Sequence, residues 1–210
     1  MAENNVSADF LGVSDVHFWK VTKDDATDYT AGEVKVLSPT AEISQTTEQS
    51  QATVYYSNIP AYVVNSKGAT SISAVLQGLA LAVLAELEGT TLDATTGALI
   101  DDGETKNLSF GISFRADYIG AEGARYYSFP KVNISVPDEA TKTKGDGTDT
   151  LNQTVTITAV STIHKFTKTG KTCKRIAVDT FNSGELLDLS KWFEQAITPD
   201  SLETILKSSV

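Results

Sequence analysis

The sequence predicts a mainly β protein: an antiparallel β-sandwich or barrel with one packed α-helix, an extended polar arm and a C-terminal helical segment. Three observations predict it. Residues 108–115 (Leu-Ser-Phe-Gly-Ile-Ser-Phe-Arg) alternate strictly, the period of a strand with one buried face. At Gly78 the apolar period changes from that of a strand to that of a helix. Residues 40–54 alternate Ser, Thr, Gln and Glu with few large apolar groups, so they cannot bury a face in their own core. They are expected to be solvated, paired with a neighbouring subunit, or both.

The elements follow in chain order. Residues 16–22, β-branched and aromatic, make a first strand closed by the turn-like Lys23-Asp-Asp-Ala-Thr-Asp28. Residues 34–37 make a second, ended by Ser38-Pro39. After the polar stretch, Asn58-Ile-Pro60 forms a turn, since Pro60 has a fixed φ and no donor. The chain returns through Tyr62-Val-Val64, with a further bend at Ser66-Lys-Gly68. Ile72, Ala74 and Leu76 then share one strand face. Beyond Gly78, Leu79, Val83, Leu84 and Leu87 recur at helical spacing, with Gly89 placed as a C-cap. A stripe this short is stable only against a sheet.

The later half reads as strands at 108–115, 124–129, 132–136 and 151–163, with 173–178 pairing onto the last across Lys168-Thr-Gly170. Residues 138–149, rich in Lys, Thr, Gly and Asp, read as the most mobile loop. Leu189, Trp192, Phe193 and Ile197 fall at helical spacing before Pro199. The chain thus divides into a β domain, 1–185, with the extended arm or hairpin over about 40–77 and the helix over about 79–88, and a helical tail, 186–210.

Composition narrows the function. With 210 residues, 40% hydrophobic and 21% charged, the chain has the make-up of an ordinary globular domain. Seventeen basic and 27 acidic residues give a net charge of −10, against a conventional nucleic-acid binder, which needs a basic face for phosphates. Cys173 stands alone, so an intrachain disulfide and a zinc–cysteine cluster are excluded. Met-Ala-Glu-Asn-Asn-Val carries no basic region before an apolar stretch, so no secretory signal is expected. The Asn-x-Ser/Thr triplets at Asn107, Asn133 and Asn152 therefore carry no weight as glycosylation sites. The apolar run 79–87 is too short to span a bilayer.

No constellation suggests catalysis. His17 and His164 lack metal-ligand spacing and read as strand histidines, and no Gly-x-Ser-x-Gly elbow exists. Asp101, Asp102 and Glu104, and Asp146 with Asp149, lack the oxygen spacing of a calcium loop and read as solvated turns. No enzyme activity, cofactor or metal is expected. Lys142, Lys144 and the basic run 165–175 oppose acidic early loops, a pattern suited to head-to-tail stacking of identical subunits as well as to a solvated hairpin. The tyrosines raise a competing reading, a secreted or surface glycan-binding β-sandwich. Yet Tyr55-Tyr56 and Tyr126-Tyr127 are adjacent pairs, sending one ring to each face of a strand where a flat platform wants them two apart.

The order polar arm, aromatic turn, alternating strand, small helix and long amphipathic strands resembles the major tail tube proteins of long-tailed (siphovirus-type) bacteriophages. The resemblance runs over about 34–163. It rests on the polar segment through Gln51, the Tyr-x-x-x-x-x-Tyr turn at Tyr56 and Tyr62, the strand-Gly-helix unit at 70–89, and the strands leading to Glu139-Ala-Thr-Lys-Thr-Lys-Gly-Asp146. The chain departs from the family at Asn58-Ile59, where Asp/Asn-Gly is usual and where Ile disfavours positive φ. The resemblance implies a structural virion protein, made in the host bacterial cytoplasm. Its copies would form stacked hexameric rings around a channel that conducts DNA without specific binding. It also implies tape measure, tail terminator and distal tail partners. On that reading Gln45, Gln49, Gln51, Tyr55, Tyr56 and Tyr62 make inter-subunit contacts. Two polar rows, Glu42-Ser44-Thr46 and Asn152-Thr154-Thr156-Thr158, are candidate channel walls, since a conduit must be hydrated and free of Lys and Arg.

Overall fold

The computed structural model describes residues 9–104, 106–119, 123–136, 152–183 and 186–207. Its strands are β1 (Phe10–Asp24), β2 (Tyr29–Ala31), β3 (Lys35–Val36), β4 (Thr40–Tyr56), β5 (Ile59–Leu76), β6 (Thr91–Leu92), β7 (Leu99–Ile100), β8 (Phe110–Tyr118), β9 (Ala124–Ser135), β10 (Gln153–Ala159) and β11 (Ile176–Asp179). The helix α1 (Leu81–Glu88) follows β5. One sheet runs β2-β1-β8-β9-β10-β5-β4, with β3 on β1 and β11 on β9, and β6-β7 form a separate ribbon. Every pairing is antiparallel. At the far end β4 comes within 8 Å (Cα–Cα) of β1 without hydrogen-bonding to it. The sheet therefore rolls into a barrel with one open seam.

The barrel encloses Phe18, Ile72, Ala74, Leu76, Ile112, Phe114, Phe129, Val155 and Ile157, all almost fully buried. Each such large side chain contributes about 1.5–3 kcal/mol. Strand β8 is buried on both faces, because its outer face is covered as well. There Trp19 lies across Gly111, where an added Cβ would sit 2.2 Å from the indole, so only glycine fits. Farther along that face, the C-terminal residues pack Trp192, Ile197 and Ile205 against Tyr126 and Val178, and Ser128 Oγ donates to the Ile197 carbonyl at 2.8 Å. Asp24, the last residue of β1, ties that strand to β9 and to the segment after β10: its carboxylate meets Lys131 Nζ at 2.6 Å and accepts the amides of Ile163 and His164.

Several sequence expectations are corrected. Segments 124–129 and 132–136 are one strand, β9, with an irregularity where Phe110 faces Val132 but Ile112 faces Phe129. The extra length falls at Pro130-Lys131, where proline has no amide to place in the ladder. Residues 151–163 are strand only over β10, and His164 lies in irregular backbone. Strand β11 pairs with the first half of β9, leaving its second half to β10. The tail forms 3-10 turns at Leu189–Phe193 and Ser201–Glu203 in place of an α-helix. Helix α1 ends at Gly89, φ 73, as expected, but buries Ala85 and Leu87. Leu79, just before it, and Val83 lie against the core, whereas Leu84 is half-buried outside that cluster. The helix is apolar nearly all round, so spacing alone did not choose its buried side. The loop 138–149, Leu151, Asp146, Asp149, Lys142 and Lys144 lie outside the described residues.

Candidate functional site: a hydroxyl field and a projecting arm

The two polar rows stand on one face of one sheet. Strand β5 lies between them: Ser44 and Thr156 both face Ser73, Thr46 and Thr158 both face Ser71, and Glu42 and Thr154 both face Val75. Beyond β10, Thr156 faces Ser135 and Thr158 faces Asn133 on β9. Alternation explains the segregation, since Ile72, Ala74, Val155 and Ile157 point into the core between these hydroxyls. The result is a field four strands wide, roughly 14 Å across at the usual interstrand spacing. Its members are Ser, Thr, Asn and Val, with Glu42 the one ionisable side chain and no Lys or Arg among them. Asn152 is exposed just before β10 begins. Sequence reasoning missed Ser71, Ser73, Asn133 and Ser135; the alternation of Ser71 and Ser73 with Ile72 and Ala74 carried the signal for two of them.

Strands β4 and β5 continue past the sheet as a hairpin. At its exit Thr47 faces Thr70, their hydroxyls 2.9 Å apart, while Gln49 faces Lys67. Strand β5 therefore carries one extra residue here, a β-bulge at the expected bend of Ser66-Lys-Gly68. Glu48 lies against Gly68, where a Cβ would meet its carboxylate at 2.6 Å, and Lys174 Nζ donates to the Gly68 carbonyl at 2.8 Å. Bulges increase local twist and re-aim a strand. Beyond this point every residue of 49–67 is exposed except half-buried Val54. The polar stretch thus finds its backbone partners within its own chain, along β5.

The tip turns at Ser57 and Asn58, φ 50 and 61, joining Tyr56 to Ile59. Positive φ at both central residues is the tight-hairpin geometry. It falls one residue before the expected turn, which relieves Ile59 of the positive φ it disfavours and leaves Pro60 in β5. Val54 faces Tyr62 and Ala52 faces Val64, and the rings of Tyr56 and Tyr62 approach to 6.2 Å. One side of the tip is therefore apolar, built from Ala52, Val54, Tyr56, Ile59, Tyr62 and Val64. Tyr55 projects from the other side, 61% exposed. Gln49 and Gln51 lie along the exposed arm. Gln45 departs from its expected company: paired with Ile72, it turns inward toward the seam, and its Oε1 is buried without a hydrogen-bond partner.

The remaining candidates are structural. Tyr126 and Tyr127 are buried, and the rings of Tyr56 and Tyr62 are inclined at 42°, so the tyrosines make no flat platform. Asp101 accepts the amide of Gly103, and Asp102 accepts the amide of Glu104 and meets Lys106 Nζ at 3.1 Å. Among the described residues no group of three or more His, Cys, Asp or Glu is placed to hold a metal ion. His17 stacks on Phe193 at 4.6 Å and His164 meets Phe166 edge-on at 5.1 Å, in separate places. Among the described residues no helix is long and apolar enough to cross a membrane. No family model matches the chain, and no curated protein matches it either.

Proposed function

We propose that the chain is a structural subunit of a phage tail tube, its copies forming stacked hexameric rings whose channel conducts DNA during ejection. The observation that carries this reading is the hydroxyl field. A surface built of Ser, Thr and Asn keeps a hydration layer, Glu42 is the sole charge among the strand residues that make it, and Lys106, which lines a cleft with Asn133 and Ser135, is paired with Asp102. Six copies carry about −60 in total, and whatever share faces the lumen repels DNA. The projecting arm, whose backbone bonds are satisfied but whose side chains are bare, supplies a part for joining copies. The sheet's long edge at β4 also calls for covering by another chain. The work is geometric and electrostatic, with no bond made or broken. Tape measure, tail terminator and distal tail proteins are the partners implied by the family resemblance.

Negative-stain microscopy of the purified protein tests the reading. Rings with a central hole, or tubes built of them, are the expected result. Particles that stay monomeric at high concentration and at every salt concentration tried would overturn it.

A further inference from the structure

The seam between β1 and β4 is a groove lined mainly by apolar residues, with Glu42 also in its lining, and it holds a buried polar atom without a partner in the chain. Phe10, Leu11 and Val13 form one wall and Ile43 the other, over a floor that includes Phe114, around a cavity of about 290 Å³. Gln45 lines the same groove, and its buried Oε1 accepts no hydrogen bond. Such an acceptor is costly to leave unmet, by more than a formed bond contributes. The molecule also carries a bare apolar surface at the arm tip, where Tyr56 is 62%, Ile59 66% and Tyr62 52% exposed.

We propose that the arm tip of a second copy of this chain docks in this seam, apolar side down, with a tyrosine hydroxyl donating to Gln45 Oε1. The tip brings what the groove lacks: branched and aromatic side chains for its walls and a phenolic donor for its orphan acceptor. The donor cannot be the molecule's own arm. Gln45 and Tyr56 lie on the same strand, roughly 35 Å apart at the usual rise per residue. Strands β1 and β4 approach within 8 Å at their Cα atoms, so side chains enter the seam rather than a further strand. The contact is heterologous, tip on one copy and seam on the next, the kind that generates rings or filaments. It goes beyond the tube reading, and its test reports contact whether or not the assembly conducts anything.

Cysteine pairing tests it. The native Cys173 is buried and its thiol is pushed up to about 11 by burial, so it stays silent under mild oxidation. Both Leu11, 69% exposed, and Tyr62 tolerate substitution without loss of core. Mixing Leu11→Cys protein with Tyr62→Cys protein should give a mixed disulfide dimer, whereas Leu11→Cys with Leu186→Cys, an equally open position, should not. Three results overturn the proposal: no mixed dimer, a yield no better than the Leu186 control, or Tyr62→Cys protein coupling chiefly to itself, which would mean that tips pair with tips. A second measurement needs no cysteine. Tyr56→Ser with Tyr62→Ser should lower self-association in sedimentation, and unchanged association overturns the proposal. Tubes that form without the Leu11–Tyr62 cross-link would sink this docking alone and leave the tube reading standing.

Discussion

Excising the arm should separate assembly from folding. The cut belongs at the bulge, because residues 42–47 are part of the barrel sheet and pair with Ser71, Ser73 and Val75. Thr47 and Thr70 face each other at the exit with their hydroxyls 2.9 Å apart, so replacing 48–69 by Asn-Gly closes a two-residue hairpin on an existing pair. What is lost can be itemised. Nothing in 49–67 is buried and Val54 alone is half-buried, so no core contact disappears. The Lys174 bond to Gly68 goes, an exposed bond worth about 1 kcal/mol at most. The arm's cross-strand pairs stabilise the arm itself and vanish with it. Unfolding free energy from a urea titration should therefore shift by no more than about 1 kcal/mol, a small part of the 5–15 kcal/mol typical of a domain. In negative stain the shortened chain should give neither rings nor tubes. A loss of several kcal/mol would show that the arm buttresses the barrel. Tubes of normal appearance would show that the arm does not join copies.

Other outcomes follow from single sites. Ser44→Lys with Thr156→Lys puts two cations on either side of Ser73, about twelve per hexamer, against passing phosphates; tails should assemble, DNA ejection should slow most at low salt, and a normal rate would place the field outside the channel. Asp24→Asn leaves Lys131 without its counter-charge, and because the Asp24 side chain is only 5% exposed the cost should be about 3–5 kcal/mol by denaturant titration, with less than about 1 counting against a locking role. Burial alone would raise the Asp24 carboxyl, but the Lys131 bond, the His164 and Ile163 amides and the Lys131 charge together hold it below the ordinary carboxylate range. Its stabilisation is therefore present above the unfolded pKa of about 3.9 and lost as pH falls through the lower folded value, so the Asn variant should lose the part of the acid transition lying below about pH 4. Leu87→Ala should cost about 2–5 kcal/mol and Leu84→Ala about 1 or less, and equal costs would contradict the helix orientation.

How much of this was legible in the sequence depended on range. Alternation named Ile72, Ala74 and Leu76 as inward, and Gly89 marked the helix end, because both signals are local. The two polar rows could be read strand by strand, but their joining across β5 is a matter of long-range register, which no local pattern contains. The same limit hid the pairing of β11 with β9 and the covering of β8 on both faces. The tip turn was displaced by one residue because Ser57 takes a positive φ usually left to glycine or asparagine. The tyrosines at 126 and 127 could not be told from exposed ones, since a strand buried on both sides shows no polar alternation. The seam groove is assembled from β1, β4, β8 and β9, and nothing in any one of them announces it.

The bulge at Gly68 has a use in the sorting of water. Along β4 the side carrying Glu42, Ser44 and Thr46 continues to Ala52, Val54 and Tyr56. On β5 the same side changes from odd to even residues at the extra position, passing from Ser71 and Ser73 to Val64 and Tyr62. A single continuous face thus begins hydrophilic, carries Glu48 at the exit from the barrel and Ser50 opposite Ser66 just beyond it, and turns oily from Ala52 and Val64 to the tip. Near the barrel, removing water gains nothing and strips hydroxyls of their partners. At the tip, removing water is what the surface favours. Solvent alone therefore sets the two ends of this face apart: the tip is the end that gains by being covered, and the hydroxyl end is the one that gains by staying wet.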